Sequence, residues 1–178
     1  MKYILDFDRT LFDVDTLYEQ LARCRQSHLA GTIESFAHVA IADLLFSDVP
    51  QFLSDKKPAD VYILSSVSGL SGQWETDYQT AKIAASGLAE QVAAVQVVSG
   101  EKGVAAASIA AGFPSAEPIV FVDDRIEHCL SVQAAVPEAH CWLIVRRPSI
   151  IGDRKTVQGI LVVHSLSEVG APLTSQAR

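Results

Sequence analysis

The chain has no uninterrupted apolar run approaching the roughly 20 residues that a membrane-spanning helix needs. It has only three cysteines, Cys24, Cys129 and Cys141, and no CxxC spacing among them. An odd count without metal-type spacing points to reduced thiols, not to a disulfide framework or a thiolate metal site. Its five histidines are scattered and form no metal set by spacing. The N-terminal residues lack the basic segment, apolar segment and small-residue cleavage site of a signal peptide, so a cytoplasmic location is expected. An excess of positive charge is also missing. Lys and Arg number 14 against 21 Asp and Glu, a formal net charge of −7. A nucleic-acid polymer needs a basic footprint and is therefore excluded as the main partner. A small phosphorylated ligand, held at one local positive site, remains compatible. There is no internal repeat and no low-complexity tract.

What is present fits one soluble domain with room for a small insertion. The 178 residues are 49% hydrophobic and 20% charged, ordinary values for a chain that buries a core. "KYILDF" reads as a short apolar strand. After it, Val14, Leu17, Leu21 and Cys24 recur at helical spacing. Thr32 is a fair N-cap. Ile33, Phe36, Ala37, Ala40, Ile41, Leu44 and Leu45 then follow the three-and-four period of an amphipathic helix. Residues 13–58 are thus expected to form a helical hairpin, closed by Pro50 and Pro58.

From Asp60 onward strands and helices alternate. "VYILSS", "VAAVQVV", "PIVFVDD" and "HCWLIV" read as strands, with "GILVVHSL" a short late one. "SGQWETDYQTAKIAASG", "EKGVAAASIAAG" and "RIEHCLSVQAAV" read as helices, the first two ending at Gly87 and Gly112. The tail "APLTSQAR" reads as frayed. Alternation of this kind predicts an α/β fold, a Rossmann-like three-layer α/β/α arrangement around a parallel sheet. Nearly continuous apolar strands agree, because such sheets are covered on both faces.

Ligands of these sheets bind beyond the carboxyl ends of the strands. The groups there are Asp6 and Asp8; Ser65 and Ser66; Ser99, Gly100 and Lys102; and Asp123 and Asp124. Each alone has an ordinary explanation. Asp13 and Asp15, a second Asp-x-Asp, have no apolar strand before them and read as a helix cap and first-turn charge. The combination of four strand ends is more informative. Four carboxylates cannot share a small site uncompensated. Hard oxygen ligands suit Mg²⁺, and Lys102 supplies a cation opposite an anion. The chemistry that fits is phosphoryl transfer.

These residues resemble the motifs of the haloacid dehalogenase-like superfamily of hydrolases. "DFDRTLF" is similar to the first motif, "VYILSS" to the second, "GEKG" to the third and "IVFVDD" to the fourth, in order along nearly the whole chain. The resemblance implies a core of residues 1–12 and 59–178, with a small helical cap at 13–58 that sets substrate choice. It implies that Asp6 is the nucleophile and forms an aspartyl-phosphate. Asp8 is then the general acid/base and must carry a proton for part of the cycle. Ser65, with its neighbour Ser66, and Lys102 would hold the phosphoryl group. Asp6, the backbone carbonyl of Asp8, Asp123 and Asp124 would hold Mg²⁺. Thr10 would hydrogen-bond locally and stiffen the loop.

Two cations are left over. Arg9 stands where the family often has a small or acidic residue, and either faces solvent or touches the site. Lys82 is a rival to Lys102 but is expected on a solvated helix face. The apolar stripe from Phe36 to Leu45 packs on the core, lines the pocket or forms a dimer contact.

The expected activity is a Mg²⁺-dependent phosphatase acting on a small phosphorylated metabolite or nucleotide. A phosphotransferase of the same family and a non-catalytic binding or regulatory protein of the same fold are the alternatives. A dehalogenase has no need of the acid at Asp8. A phosphonate-cleaving relative would want a cap lysine, and Lys56 and Lys57 lie at the cap's exit. A receiver domain would place its acid pair on the first strand, not on a later one.

Overall fold

The computed structural model describes residues 1–70, 72–115, 117–147 and 155–170. Its centre is a seven-stranded sheet. The strands are β1 (Lys2–Leu5), β2 (Val61–Val67), β3 (Ala94–Ser99), β4 (Ile119–Asp123), β5 (Ala139–Ile144), β6 (Thr156–Val157) and β7 (Ile160–Val163). Their spatial order is β3-β2-β1-β4-β5-β7-β6. All pairings are parallel except β6 with β7. The chain runs outward from β1 through β2 to β3, then returns to the other side of β1 as β4. That reversal makes the carboxyl ends of β1 and β4 a topological switch point, where such sheets bind ligands.

Helices α1 (Val14–Arg23), α2 (Val49–Ser54), α3 (Gln73–Ala85), α4 (Gly103–Ala110) and α5 (Ile126–Ala135) complete the frame. Side chains alternate across the pleat. One face of the sheet presents Tyr3, Leu5, Val61, Ile63, Val120 and Val122, which share a core with Ile83 and with residues of the segment between β1 and β2. The other presents Ile4, Leu64, Ile119 and Phe121, which share a second core with Ala105, Ala106, Cys129 and Val132 of α4 and α5. The three-layer α/β expectation is met. The late strand "GILVVHSL" is β7, and the tail "APLTSQAR" lies outside the described residues.

The segment before β2 departs from its expected form. α1 is present, and Asp13 caps it by accepting from the Thr16 amide at 3.0 Å and from its hydroxyl at 2.7 Å. The long second helix is not. Ile33–Ala37 and Ile41–Leu44 are separate 3-10 turns, and Ala40 between them is extended. Local polar groups break the helix. The Ser35 amide and hydroxyl both donate to the Thr32 carbonyl, the hydroxyl at 2.6 Å, and the His38 amide donates to the Ser35 carbonyl. Such short-range bonds compete with helical ones. Ile41 and Leu44 are buried all the same, beside the off-period Val39, while Ile33 is half-exposed. The apolar spacing reported burial, and tertiary contacts chose the backbone. Val14, Leu17, Leu21, Val49, Phe52 and Leu53 join the same core as the sheet, so this segment packs as a layer on it.

Cys129 and Cys141 are buried, as expected of small core residues, but Cys24 is exposed.

α4 and α5 meet at Gly103. Its amide donates to the Ser131 hydroxyl at 3.0 Å. A Cβ at this position would lie 2.6 Å from the Ser131 carbonyl oxygen. Gly103→Ala is therefore expected to destabilise the protein by about 1–3 kcal/mol through overpacking, against the modest gain that alanine brings within a helix. Urea denaturation measures it. A variant as stable as the parent contradicts the close packing.

Candidate active site

The pleat sorts the polar residues at the strand ends. Asp6 continues the face of Ile4, Ser66 that of Leu64, and Asp123 that of Ile119 and Phe121. All three thus open toward α4 and α5. Lys102, the residue just before α4, is fully buried there. Its ammonium donates to Asp6 Oδ1 and, at 2.7 Å, to Asp123 Oδ2. His128 Nδ1 lies 3.1 Å from the same Asp123 oxygen, and its Nε2 lies 3.4 Å from Ser66 Oγ. The Arg125 amide donates to Asp123 Oδ1 at 2.9 Å.

Asp6, Asp123 and Asp124 each bring one carboxylate oxygen within 4.8 Å of the others. Burial pushes the Asp6 carboxyl up to about 6; Lys102 opposes that rise, and the Asp123 charge adds to it. Burial, with the charges of Asp6 and Asp123, pushes Asp124 up to about 8. Burial works on Asp123 too, but Lys102 and His128 outweigh it and hold its carboxyl below the ordinary range. The cluster has one internal cation and three acids. Two of the three ionise reluctantly as the protein stands. A further bound cation would relieve them, and an all-oxygen donor set suits a hard divalent ion.

A second group lies on the opposite side of β1 and β2. Asp8 accepts from Lys82 Nζ at 2.7 and 2.8 Å and from Gln79 Nε2 at 3.0 Å. Gln79 also donates to Ser65 Oγ at 2.8 Å. Lys82 is buried, not on a solvated face. The reason is local: Tyr78, Gln79, Lys82 and Ile83 form the one buried stripe of α3, so the ammonium is carried inward and meets Asp8. Asp8 borders a cavity of about 290 Å³, which Ser66, Gln79 and Lys82 also line. Ser65 is buried and engaged by Gln79, so Ser66 is the serine of "VYILSS" that reaches this cavity and shares a face with Asp6.

The supporting residues divide. The Thr10 hydroxyl is buried without a hydrogen-bond partner among the described residues, contrary to its expected local bond. The Thr10 carbonyl is what fixes the loop: Arg146 donates to it from Nε at 3.0 Å and from a terminal nitrogen at 2.7 Å. Arg146 also pairs with Asp48 at 2.6 Å, tying the loop, the segment before β2 and the end of β5 together. Arg9 adopts a left-handed backbone (φ 57°) and pairs with Asp15 at 2.7 Å, half-exposed. From the segment between β1 and β2 Tyr18 and Gly31 reach the cavity, and the stripe from Phe36 to Leu45 does not.

Gln79, His128 and Arg146 are site-region residues that motif reading missed, and that reading names Lys82 but places it on a solvated face. Lys82 carried a signal, a lysine inside an apolar stripe at helical spacing. His128 carried only its place in the first turn after Asp123.

Comparison with known proteins bears on this geometry. No protein-family model matches the sequence, and no curated protein does. Solved structures do match in fold. A haloacid dehalogenase-like hydrolase of Burkholderia xenovorans superposes with a TM-score of 0.61 at 16% identity, over 93% of each chain. L-2-haloacid dehalogenase of Xanthobacter autotrophicus gives 0.61 at 15%, over 94% of this chain and 95% of that one. D,D-heptose 1,7-bisphosphate phosphatase of B. bronchiseptica, complexed with magnesium and phosphate, gives 0.58 at 18%, over 95% and 96%. This chain has the haloacid dehalogenase-like hydrolase fold. Within that fold the neighbours include both a dehalogenase and a phosphatase, so the choice of chemistry rests on this chain's own residues. No helix of the described residues is long and apolar enough to cross a membrane.

The acid cluster sets a pH dependence. Asp6 and Asp124 bind protons more tightly folded than unfolded. Their contribution to stability is full below the ordinary carboxylate value of about 4 and is lost as pH rises through about 6 and about 8. With chelator present, the thermal midpoint is expected to fall from about pH 5 to about pH 9, and Asp124→Asn to flatten the upper part of that fall. Scanning calorimetry tests this; a midpoint that rises across the range contradicts the assigned shifts.

Proposed function

We propose that this protein is a Mg²⁺-dependent phosphatase that hydrolyses a small phosphorylated metabolite or nucleotide through an aspartyl-phosphate on Asp6. The observation that carries the reading is the convergence of Asp6, Asp123 and Asp124 around Lys102, with Asp8 beside them at the edge of a cavity. Asp6, Asp123, Asp124 and the backbone carbonyl of Asp8 would hold Mg²⁺. When bound, the ion supplies positive charge to phosphate oxygens and to the crowded acids.

The protein's own residues account for the rest. An oxygen of ionised Asp6 attacks phosphorus, and the bond from phosphorus to the leaving oxygen breaks. Asp8 gives a proton to that oxygen. Water then attacks the phosphorus of the aspartyl-phosphate, the bond from phosphorus to the Asp6 oxygen breaks, and the proton from water passes to Asp8, which restores both carboxyls. Lys102 keeps Asp6 oriented and ionised. Ser66 and Lys82 are the hydroxyl and ammonium facing the cavity, and with Lys102 they hold the transferring group. Gln79 and Lys82 fix the rotamer of Asp8.

Asp8 also separates this reading from dehalogenation. A halide leaves as a stable anion and needs no proton, whereas an alkoxide leaving group does.

A panel of phosphate esters, assayed with Mg²⁺ and with chelator, tests the proposal. Turnover is expected only with the metal. Asp6→Asn should lower it by about 10³-fold or more, and Asp8→Asn by about 10²–10⁴-fold. Activity that survives Asp6→Asn or ignores chelator overturns the mechanism. Absence of turnover on every ester moves the weight to a binding protein of this fold.

A further inference from the structure

Few aromatic side chains of this protein are left open to solvent. Among the described residues the exposed ones are Tyr18 and Trp74, at 41% and 50%. Burial drives aromatic residues to be covered, so an exposed pair needs a reason. Both line the cavity that adjoins Asp8. They come from different parts of the chain, Tyr18 from α1 and Trp74 from the first turn of α3. Chance surface exposure would not gather them there.

The cavity is built to keep them in place. The Trp74 ring edge lies over Gly31, where a Cβ would sit 3.7 Å from the ring. Gly31 has φ 81°, a conformation that suits glycine, and it brings the backbone under the indole. One turn further along α3, Tyr78 is buried against Phe36 and walls the cavity below Trp74. The floor is polar, made by Asp8, Ser66, Gln79 and Lys82. The cavity thus has a phosphoryl-transfer end and an aromatic end. Its volume of about 290 Å³ lies at the lower limit of small-molecule sites, which run from about 300 to 1,000 Å³. That suffices for a compact ring.

We infer that the aromatic end takes the leaving group of the substrate, and that this group carries a planar unsaturated ring stacked on Trp74 and Tyr18. Ring faces pair with indole and phenol rings by offset stacking, which a sugar-chain or polyol phosphate cannot match. The inference narrows the phosphatase reading and rests on it for the word "leaving". The pocket itself is testable without turnover.

The probes are a nucleoside 5′-monophosphate, phenyl phosphate and glycerol phosphate. In the Asp6→Asn protein with Mg²⁺, both ring-bearing probes should quench tryptophan emission and bind about tenfold tighter than glycerol phosphate. The other tryptophan, Trp142, is buried, so the quench reports Trp74. In the parent protein, Trp74→Ala should reduce the ratio of kcat/KM for ring-bearing over ring-free phosphates by about tenfold, and Trp74→Phe should keep most of it. Whichever ring-bearing probe gives the higher ratio distinguishes a nucleobase from a simple aryl ring. Ring-selective binding without hydrolysis supports the pocket and refutes the phosphatase. Hydrolysis with no ring preference, or a ratio that Trp74→Ala leaves unchanged, overturns the pocket and leaves the phosphatase standing. Equal binding of all three probes overturns it as well.

Discussion

The buried bridge from Lys102 to Asp6 and Asp123 is the constraint on which the rest of the site depends. Two carboxylates end adjacent parallel strands and face the same way, because the pleat gives them no choice. Both are buried away from solvent, so a cation from the protein compensates them. Lys102 supplies it from the residue that opens α4, and Gly103 lets that helix lie close enough to α5 for the ammonium to arrive. Both partners and bridge are buried, so removal of Lys102 leaves the two carboxylates uncompensated, a loss of about 3–5 kcal/mol in comparable cases. The bridge holds Asp6 in one orientation. It also leaves Asp124 short of positive charge, which favours a further cation at the same edge.

The acids at the end of β1 turn to different sides of the sheet. Asp6 faces α4 and α5 and is held by Lys102. Asp8, two residues on and beyond the strand, turns to α3 and is held by Lys82 and Gln79. The two acids of "DFD" therefore sit in different electrostatic settings although one residue separates them. Such separation lets two carboxyls take different roles in one reaction. The cavity opens on the Asp8 side, where a leaving group would need its proton. Arg146, behind the Thr10 carbonyl, stiffens the loop that carries both acids.

Much of this was legible in the sequence because it depended on local rules. Apolar strands ending in acids, helices closed by glycine, and the order of four motifs gave the parallel sheet and the acids at its edge. The failures had tertiary causes. The stripe from Ile33 to Leu45 has helical spacing, yet Ser35 and Thr32 divert the backbone into 3-10 turns while the core still accepts Ile41 and Leu44. Lys82 looked like a surface lysine because charge usually means solvent; a carboxylate from a distant strand reversed that. Ser65 and Ser66 differ by one residue, and only the register of β2 shows which faces Asp6. Thr10 was expected to act through its hydroxyl, and it is the carbonyl that is held.

In the proposed reaction Asp6 is the group that takes the phosphoryl. A crystal grown with Mg²⁺ and beryllium fluoride, an analogue of the bound phosphoryl group, tests it most directly. Density for the fluoride adduct joined to the Asp6 carboxylate, with the metal against Asp123, is the predicted result. An adduct on any other residue, or a metal that avoids Asp6 and Asp123, would contradict it.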